Sequence, residues 1–326
     1  METLSNHIFH LQSQADFEAT ALRIFRFQYK NNPVYRTYCQ CFGIDKESVC
    51  ELKQIPFLPI SFFKTHEVKT TKFTPMLTFQ SSGTTGMQHS MHLIKNELLY
   101  RRSLLESFHH FYGKPSEYVF LALLPNYLEQ QHSSLIYMME TLMHKSGAMD
   151  NGYYLYNHED LYQKLTQLRD HHKKTILWGV TFALLDFAEH YQLDFPELVV
   201  FETGGMKGRR KEMVKEELYS ILQKSFGVPA IHSEYGMCEL LSQAYSKGDN
   251  LFTTPPWMRL SLRNEKDPLD TSDTVNTGVI NVIDLANLYS CSFIATEDLG
   301  RRHPQGFEVL GRLDHSQLRG CNLMVL

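Results

Sequence analysis

Residues 80–90 read QSSGTTGMQHS. From Ser81 through Gly86 no side chain is large enough to pack a core, so the stretch must be a loop. Consecutive Ser, Thr and Gly residues can turn backbone N–H groups and hydroxyls toward one concave space, and such nests bind phosphate. The mononucleotide P-loop pattern does not fit, because Met87 follows Gly86 where Lys and Ser or Thr would be required. A dinucleotide fingerprint does not fit either, because no GxGxxG opens a helix here. Two readings remain: a clamp for a polyphosphate, or an ordinary surface turn.

The flanks decide what kind of fold carries this loop. Asn96 to Tyr112 reads as a helix, with Asn96 as its N-cap and Gly113 as its stop. YVFLALLP (118–125) reads as a buried strand, and residues 133–147 as an apolar helix ending at Gly147. TILWGV (175–180) and ELVVFETGG (197–205) read as further buried strands, and a strongly charged helix follows the second. Strands alternating with helices predict an α/β domain with a mostly parallel sheet. Upstream, residues 16–40 read as a helix interrupted at Pro33. IPFLPISFF (55–63) reads as extended, because Pro56 and Pro59 oppose a helix. After Asp249 the pattern changes to short strands, GVINVIDL, CSFIATEDLG and FEVLGRLD, between Asn, Gly and Pro turns. The expected organisation is an α/β core over 1–250, a β-rich subdomain of the same core over 251–310, and a hinge-like motif and tail over 311–326.

Composition narrows the function. The net charge of −4 comes without a basic block, which disfavours nucleic acid and anionic membranes as partners. No run of about 18 apolar residues is present, so no membrane span is expected, and the N-terminus lacks a signal-peptide pattern. The cysteines have no CxxC spacing and read as free thiols of a reducing cytoplasm. The histidine pairs 109–110 and 171–172 read as solvated surface groups.

Four later stretches bear on the loop. Gly204-Gly205 follows the strand LVVFET and leaves a backbone that a flat ring can approach. SEYGMCE (233–239) offers an aromatic face at Tyr235, a glycine at Gly236 and a carboxylate at Glu239. TEDLG (296–300) offers Asp298, able to accept hydrogen bonds from two ribose hydroxyls. GRLDHSQLRGCN (311–322) offers Arg312 and Asp314. In this order the set resembles the adenylate-forming, acyl-activating enzymes, and within them the acyl-protein synthetase branch, whose best-known member is the long-chain-fatty-acid–luciferin-component ligase. IPFLPISFFKTHEV, LLPNYLEQQHSSLIYMM and the terminal RGCNLMVL look like that branch.

The resemblance implies a fold and a site. The fold is α/β, the large domain of adenylate-forming enzymes, with mostly parallel sheets, flanking helices and a β-rich subdomain. The small C-terminal domain of that family is expected to be absent or vestigial. Ser81, Ser82, Gly83, Thr84, Thr85 and Gly86 would cradle the β- and γ-phosphates of ATP. Gly204, Gly205, Tyr235 and Gly236 would hold the adenine, Glu239 would help hold Mg²⁺, and Asp298 and Arg312 would grip the ribose. His132 would lie beside the substrate carboxylate. The implied reaction joins a long-chain fatty carboxylate to AMP, and the acyl group then passes to Cys321 and on to a partner reductase. Coenzyme A or a carrier protein as acceptor, and a nucleotide-binding scaffold without catalysis, are the alternatives.

The sequence departs from the family at several points. Cys238 stands where the motif usually has Thr, and a thiol is a weak hydrogen-bonding group. It reads as a small buried apolar residue; acting as a nucleophile with His232 is a distant alternative. The resemblance supplies no counterpart here to the family's lysine from the small domain; either adenylation is slow, or Arg312, Arg319, His89 or a partner's side chain substitutes for it.

Overall fold

The computed structural model describes residues 2–81, 89–125, 132–204, 213–264 and 276–313. In chain order these form α1 (Glu2–His7), α2 (Gln14–Asn31), α3 (Pro33–Cys41), β1 (Leu58–Pro59), α4 (Phe62–Thr65), β2 (Leu77–Gln80), β3 (Met91–Ile94), α5 (Glu97–Tyr112), β4 (Val119–Leu123), α6 (Ser134–Ser146), β5 (Gly152–Tyr154), α7 (His158–Asp170), β6 (Thr175–Val180), α8 (Thr181–Ala188), β7 (Val199–Thr203), α9 (Lys215–Phe226), β8 (Ile231–Tyr235), β9 (Ala244–Ser246), β10 (Met258–Arg263), β11 (Thr277–Asp284), β12 (Phe293–His303) and β13 (Gly306–Arg312). The chain divides into two compact units: 1–73 together with 256–326, and 74–255.

Local chemistry sets the helix ends. The Asn96 side chain accepts from Leu99 N–H at 3.1 Å, and Gly113 ends α5 at φ 85°. Ser133 caps α6 through Ile136 N–H, and Gly147 ends it in the left-handed region. The helix expected over 16–40 is two helices. Pro33 is the first residue of α3, where its missing N–H costs nothing, and the Asn32 side chain caps that helix through Tyr35 N–H. The expectation of an extended 55–63 is met only at Leu58–Pro59. From Ile60 to Thr65 every residue has its backbone N–H and none precedes a proline, and Phe62–Thr65 form a helical turn that buries Phe63.

In the unit 74–255, the main sheet runs β5-β4-β6-β7-β8-β9, parallel except for β9. Register places Ala122, Trp178, Phe201 and His232 side by side. Trp178 and Phe201 stack with ring centroids 3.9 Å apart and planes 5° apart. Helix α5 covers this face: Tyr112 packs against Phe201 and Tyr245 and meets His232 through its hydroxyl. The opposite face carries the row Leu123, Gly179, Glu202, Ser233 and Ser246. Leu184 of α8 lies where a Cβ on Gly179 would sit, and Tyr219 of α9 meets Ser233 Oγ at 2.6 Å. A separate antiparallel pair, β2 and β3, brackets the Ser/Gly/Thr loop.

In the other unit the order is β1-β12-β11-β10, with β13 also on β12. All pairings are antiparallel except β1 with β12. The N-terminal helices join this sheet. Gln28 Nε2 lies 3.1 Å from Asn287 O, Leu288 O and Ser292 Oγ, and Gln28 Oε1 accepts from Ser292 N–H. Asn32 Nδ2 and Thr70 Oγ1 both donate to Ser290 O. Phe25, Tyr35 and Phe57 surround Phe293. The strands are longer than the short runs expected from sequence, because β12 continues through Asp298 to His303.

Gly147 and Gly227 both end helices at φ 66°, but a Cβ on Gly147 meets open space whereas one on Gly227 would lie 2.8 Å from Asp194 Cα and Leu193 O. Left-handed backbone costs an L-residue about 1–2 kcal/mol. Thermal unfolding should therefore show Gly147→Ala a few degrees below the parent and Gly227→Ala lower still, because backbone cannot yield as a side chain can; equal losses would contradict this.

Candidate active site

Parallel pairing sends the carboxyl ends of β4, β6, β7 and β8 to one edge, where open α/β sheets bind ligands. Several residues singled out from sequence sit there. Gly204 follows β7 with φ 83°, a backbone state that favours glycine. Tyr235 closes β8 and is buried, and Gly236 follows it. Gly204 and Tyr235 each stand two residues beyond the paired Glu202 and Ser233. Glu239, 4% exposed, lies in the turn after β8.

The phosphate-loop candidate begins and ends on the β2–β3 hairpin. Ser81 N–H donates to Ser90 O at 3.1 Å, Ser90 N–H to Ser81 Oγ at 3.0 Å, and His89 Nδ1 lies 2.7 Å from Ser81 O. Ser81 therefore spends its hydroxyl on closing the loop. Ser82, Gly83, Thr84, Thr85, Gly86, Gly205, Asp314, Arg319 and Cys321 lie outside the described residues. His132 is exposed, and its carbonyl accepts Gln80 N–H at 2.9 Å, tying the start of α6 to the base of the hairpin.

Asp298 and Arg312 belong to the other unit and are cross-strand partners, with Arg312 Nε 3.4 Å from Asp298 Oδ1. The Arg312 side chain is exposed and that of Asp298 is mostly buried. Strand β12 reaches Asp298 through a bulge: Thr296, Glu297 and Asp298 stand opposite Ile280 alone, between the pairs Asn281–Ala295 and Val279–Leu299. Thr296 Oγ1 donates to Ile280 O and accepts Asp298 N–H. Buried Arg263 donates to Ile280 O and Asn281 Oδ1 through Nη1 and to Thr296 O through Nη2. Bulges redirect side chains in this way.

Sequence reasoning missed three groups beside the motifs, two of them buried. His92, fully buried on β3, has Nδ1 2.7 Å from the carbonyl of Cys238 and so fixes the turn that bears Glu239. Glu202 is buried on β7 and accepts from the Thr181 hydroxyl. Glu234 is half-buried, and packing pushes its carboxyl up to about 7. Its oxygen fills the space a Cβ on Gly236 would need, at 2.0 Å. That is a packing reason for the glycine after Tyr235. Isolated polar residues such as His92 and Glu202 leave no periodic signal, and Glu234 is masked by the neighbouring His232 and Ser233, so only the motif spacing was visible.

Cys238 is buried, and burial followed by Glu239 pushes its thiol far up, which suits the small apolar role and not a nucleophile. His232 Nδ1 instead meets the Tyr112 hydroxyl at 3.0 Å. The described cysteines are unpaired. Histidines 109, 110, 171 and 172 are exposed, as read from sequence. Among the described residues no three His, Cys, Asp or Glu side chains gather as a metal cage. A single buried carboxylate, Glu239, still fits Mg²⁺, which binds through one or two carboxylates plus phosphate oxygens. No described helix is long and apolar enough to cross a membrane.

Residues 8–112 match the family model described as acyl-protein synthetase, LuxE. No curated protein matches the chain. Among solved structures, an open conformation of 2-hydroxyisobutyryl-CoA ligase in complex with 2-HIB-AMP and CoA superposes with a TM-score of 0.67 at 11% identity, over 94% of this chain and 72% of that one. An ATP-bound RpMatB–BxBclM chimera gives 0.56 at 16% identity over 74% and 49%. The fatty acyl-adenylate ligase from L. pneumophila, in complex with acyl adenylate and pyrophosphate, gives 0.51 at 17% identity over 76% and 52%. The chain thus spans about half the length of the last two. At such identities the likeness is one of fold: this is the α/β fold of adenylate-forming enzymes, as the ordered motifs implied, and the matched segment agrees with the acyl-protein synthetase branch.

Burial, then Lys247, lowers the His232 imidazole to about 4. An unfolded histidine takes up its proton near 6.5, so the unfolded state binds more protons between those values and stability rises with pH there. The melting temperature should fall as pH drops from 6.5 to 4. In His232→Phe, which cannot charge, that fall should be shallower; an unchanged slope in circular-dichroism melts would exclude His232 as its source.

Proposed function

We propose that this protein activates a fatty carboxylate with ATP and hands the acyl group to a thiol. The observation that carries the reading is the convergence of Gly204 and the Tyr235–Glu239 turn on the carboxyl edge of a parallel sheet. The family match over 8–112 and the fold likeness support it. In this reading Ser82 to Gly86 hold the phosphates, with Ser81 closing the loop behind them. Gly204, Gly205, Tyr235 and Gly236 receive the adenine, and His132 lies beside the carboxylate. Glu239 is the protein ligand for Mg²⁺. Asp298 and Arg312, already paired with one another, take the ribose hydroxyls; the bulge behind Asp298 fixes where its carboxylate points.

When bound, ATP supplies the α-phosphorus that the carboxylate oxygen attacks, releasing pyrophosphate, and Mg²⁺ neutralises phosphate charge. The residues of the chain exclude water and hold donors where charge develops. Cys321 is the proposed acceptor. Its thiolate attacks the acyl carbonyl, the C–S bond forms, and AMP leaves with the bonding electron pair. A reductase is the proposed recipient of the thioester. The buried, proton-retaining thiol of Cys238 is unsuited to this task, which favours Cys321 over it.

Acid-dependent exchange of labelled pyrophosphate into ATP tests activation, and intact mass tests transfer. Glu239→Gln should lower exchange on the order of 10²–10³, the usual cost of one electrostatic group in such a site. Cys321→Ser should keep exchange but lose the hydroxylamine-sensitive acyl adduct. An adduct that persists in Cys321→Ser would place the acceptor elsewhere, and no exchange with any acid would end the activation reading.

A further inference from the structure

His92 ties together two parts of the candidate site that lie far apart in the chain. It stands on β3, two residues after Ser90, whose backbone closes the Ser/Gly/Thr loop against Ser81. Its Nδ1 lies 2.7 Å from the carbonyl oxygen of Cys238, 146 positions later. A carbonyl oxygen only accepts, so Nδ1 carries the proton and donates it. Cys238 immediately precedes Glu239. The peptide between them is planar, so the bond that holds its oxygen also restrains the plane from which Glu239 departs.

Both ends of this contact are held in turn. His92 is fully buried and pairs across the hairpin with Phe79. The Phe79 ring lies 4.9 Å from Tyr100 of α5 and 5.5 Å from Tyr137 of α6, so two helices hold the hairpin in place. At the other end, residues 236–243 belong to no strand. Leu240 N–H donates to Met237 O at 3.1 Å within the turn, and Ser242 Oγ meets Ser103 Oγ of α5 at 2.9 Å. His92 thus anchors the turn beside its carboxylate, and Ser103 anchors it further on. A leucine or phenylalanine at 92 would also fill buried space. What histidine adds is a donor aimed at the peptide before Glu239.

We propose that His92 is a positioning residue for the metal carboxylate, and that it couples the placement of Glu239 to the hairpin that carries the phosphate loop. The inference rests on the ATP-dependent activation reading above and adds to it a residue outside every motif that led there. The loop that receives the phosphates and the carboxylate that receives their Mg²⁺ are then both referred to one strand, β3. Groups that orient a metal ligand typically govern about 10–100-fold in metal affinity or activity.

Calorimetry of ATP binding to the full chain without acid, once with Mg²⁺ and once with EDTA, reads the metal contribution apart from turnover. Mg²⁺ should tighten ATP binding to the parent. His92→Leu should cut that gain about tenfold or more and leave the Kd in EDTA unchanged. His92→Asn, whose amide nitrogen takes the place of Nδ1, should restore most of it. In pyrophosphate exchange the Mg²⁺ concentration for half-maximal rate should rise in His92→Leu while the KM for the acid stays put. Adding His92→Leu to Glu239→Gln should cost little beyond Glu239→Gln alone, because both act through one carboxylate. If His92→Leu does not fold, His92→Gln, whose amide reaches one carbon further, carries the comparison with His92→Asn. A merely structural role would lower the melting temperature of His92→Leu and leave the Mg²⁺ gain intact. That result, equal weakening with and without Mg²⁺, failure of His92→Asn to rescue, or losses that multiply in the double variant would overturn the inference, and exchange by the parent would leave activation standing. A parent whose ATP binding gains nothing from Mg²⁺ would overturn it too, and if no acid supports exchange either, the activation reading falls with it.

Discussion

Parallel strand pairing is the constraint on which the candidate site depends. Once β4, β6, β7 and β8 pair in one direction, everything that follows each strand emerges at a single edge, whatever the intervening helices do. The Trp178–Phe201 stack fixes the central register, and a slip by one residue would exchange the α5 face for the α8–α9 face along the whole strand. Tyr235 and Gly204 are thus positioned by aromatic packing several residues away. The glycines do local work within that frame: one adopts a left-handed backbone, and the other clears space for the Glu234 carboxyl.

The second unit reaches a comparable result by different means. An antiparallel sheet has no common carboxyl edge, and Asp298 is aimed instead by an irregularity, the three-for-one bulge opposite Ile280. Arg263 holds that irregularity with carbonyl and amide contacts, so a buried cation is spent on shaping backbone. Burial lowers the Arg263 pKa, which measures what the arrangement costs.

Much of the α/β half was legible because its signals are local. TILWGV is a strand to the residue, and the helices of 96–113 and 133–147 begin and end at their capping residues. The order of motifs led to the fold because each motif follows a strand. Other features had no local signature. Nothing in residues 16–41 says that Gln28 will be satisfied by carbonyls some 260 positions later, yet that clasp decides which sheet the N-terminal helices join. Glu202 and His92 each read as a polar residue among apolar neighbours, Glu234 reads as one member of the polar run in IHSEY, and their meaning lies in what faces them. The bulge at Thr296–Asp298 is invisible to a period-two pattern, which sees one continuous run.

The Gln28 clasp has a consequence in time. One unit, 74–255, is a single continuous stretch, whereas the other is assembled from the two ends of the chain. As synthesis proceeds, the α/β unit can be completed on its own, because all its strands and their covering helices have by then been made. Helices α2 and α3 emerge before β11 and β12 and have no sheet to cover until those strands follow, and loop closure over so long a separation is slow. During that interval Phe17, Phe25 and Tyr35, which are nearly or fully inaccessible in the finished protein, have no core to enter. The nascent chain therefore exposes these apolar side chains until the strands that cover them have been made, and in that interval they are what a chaperone has to hold.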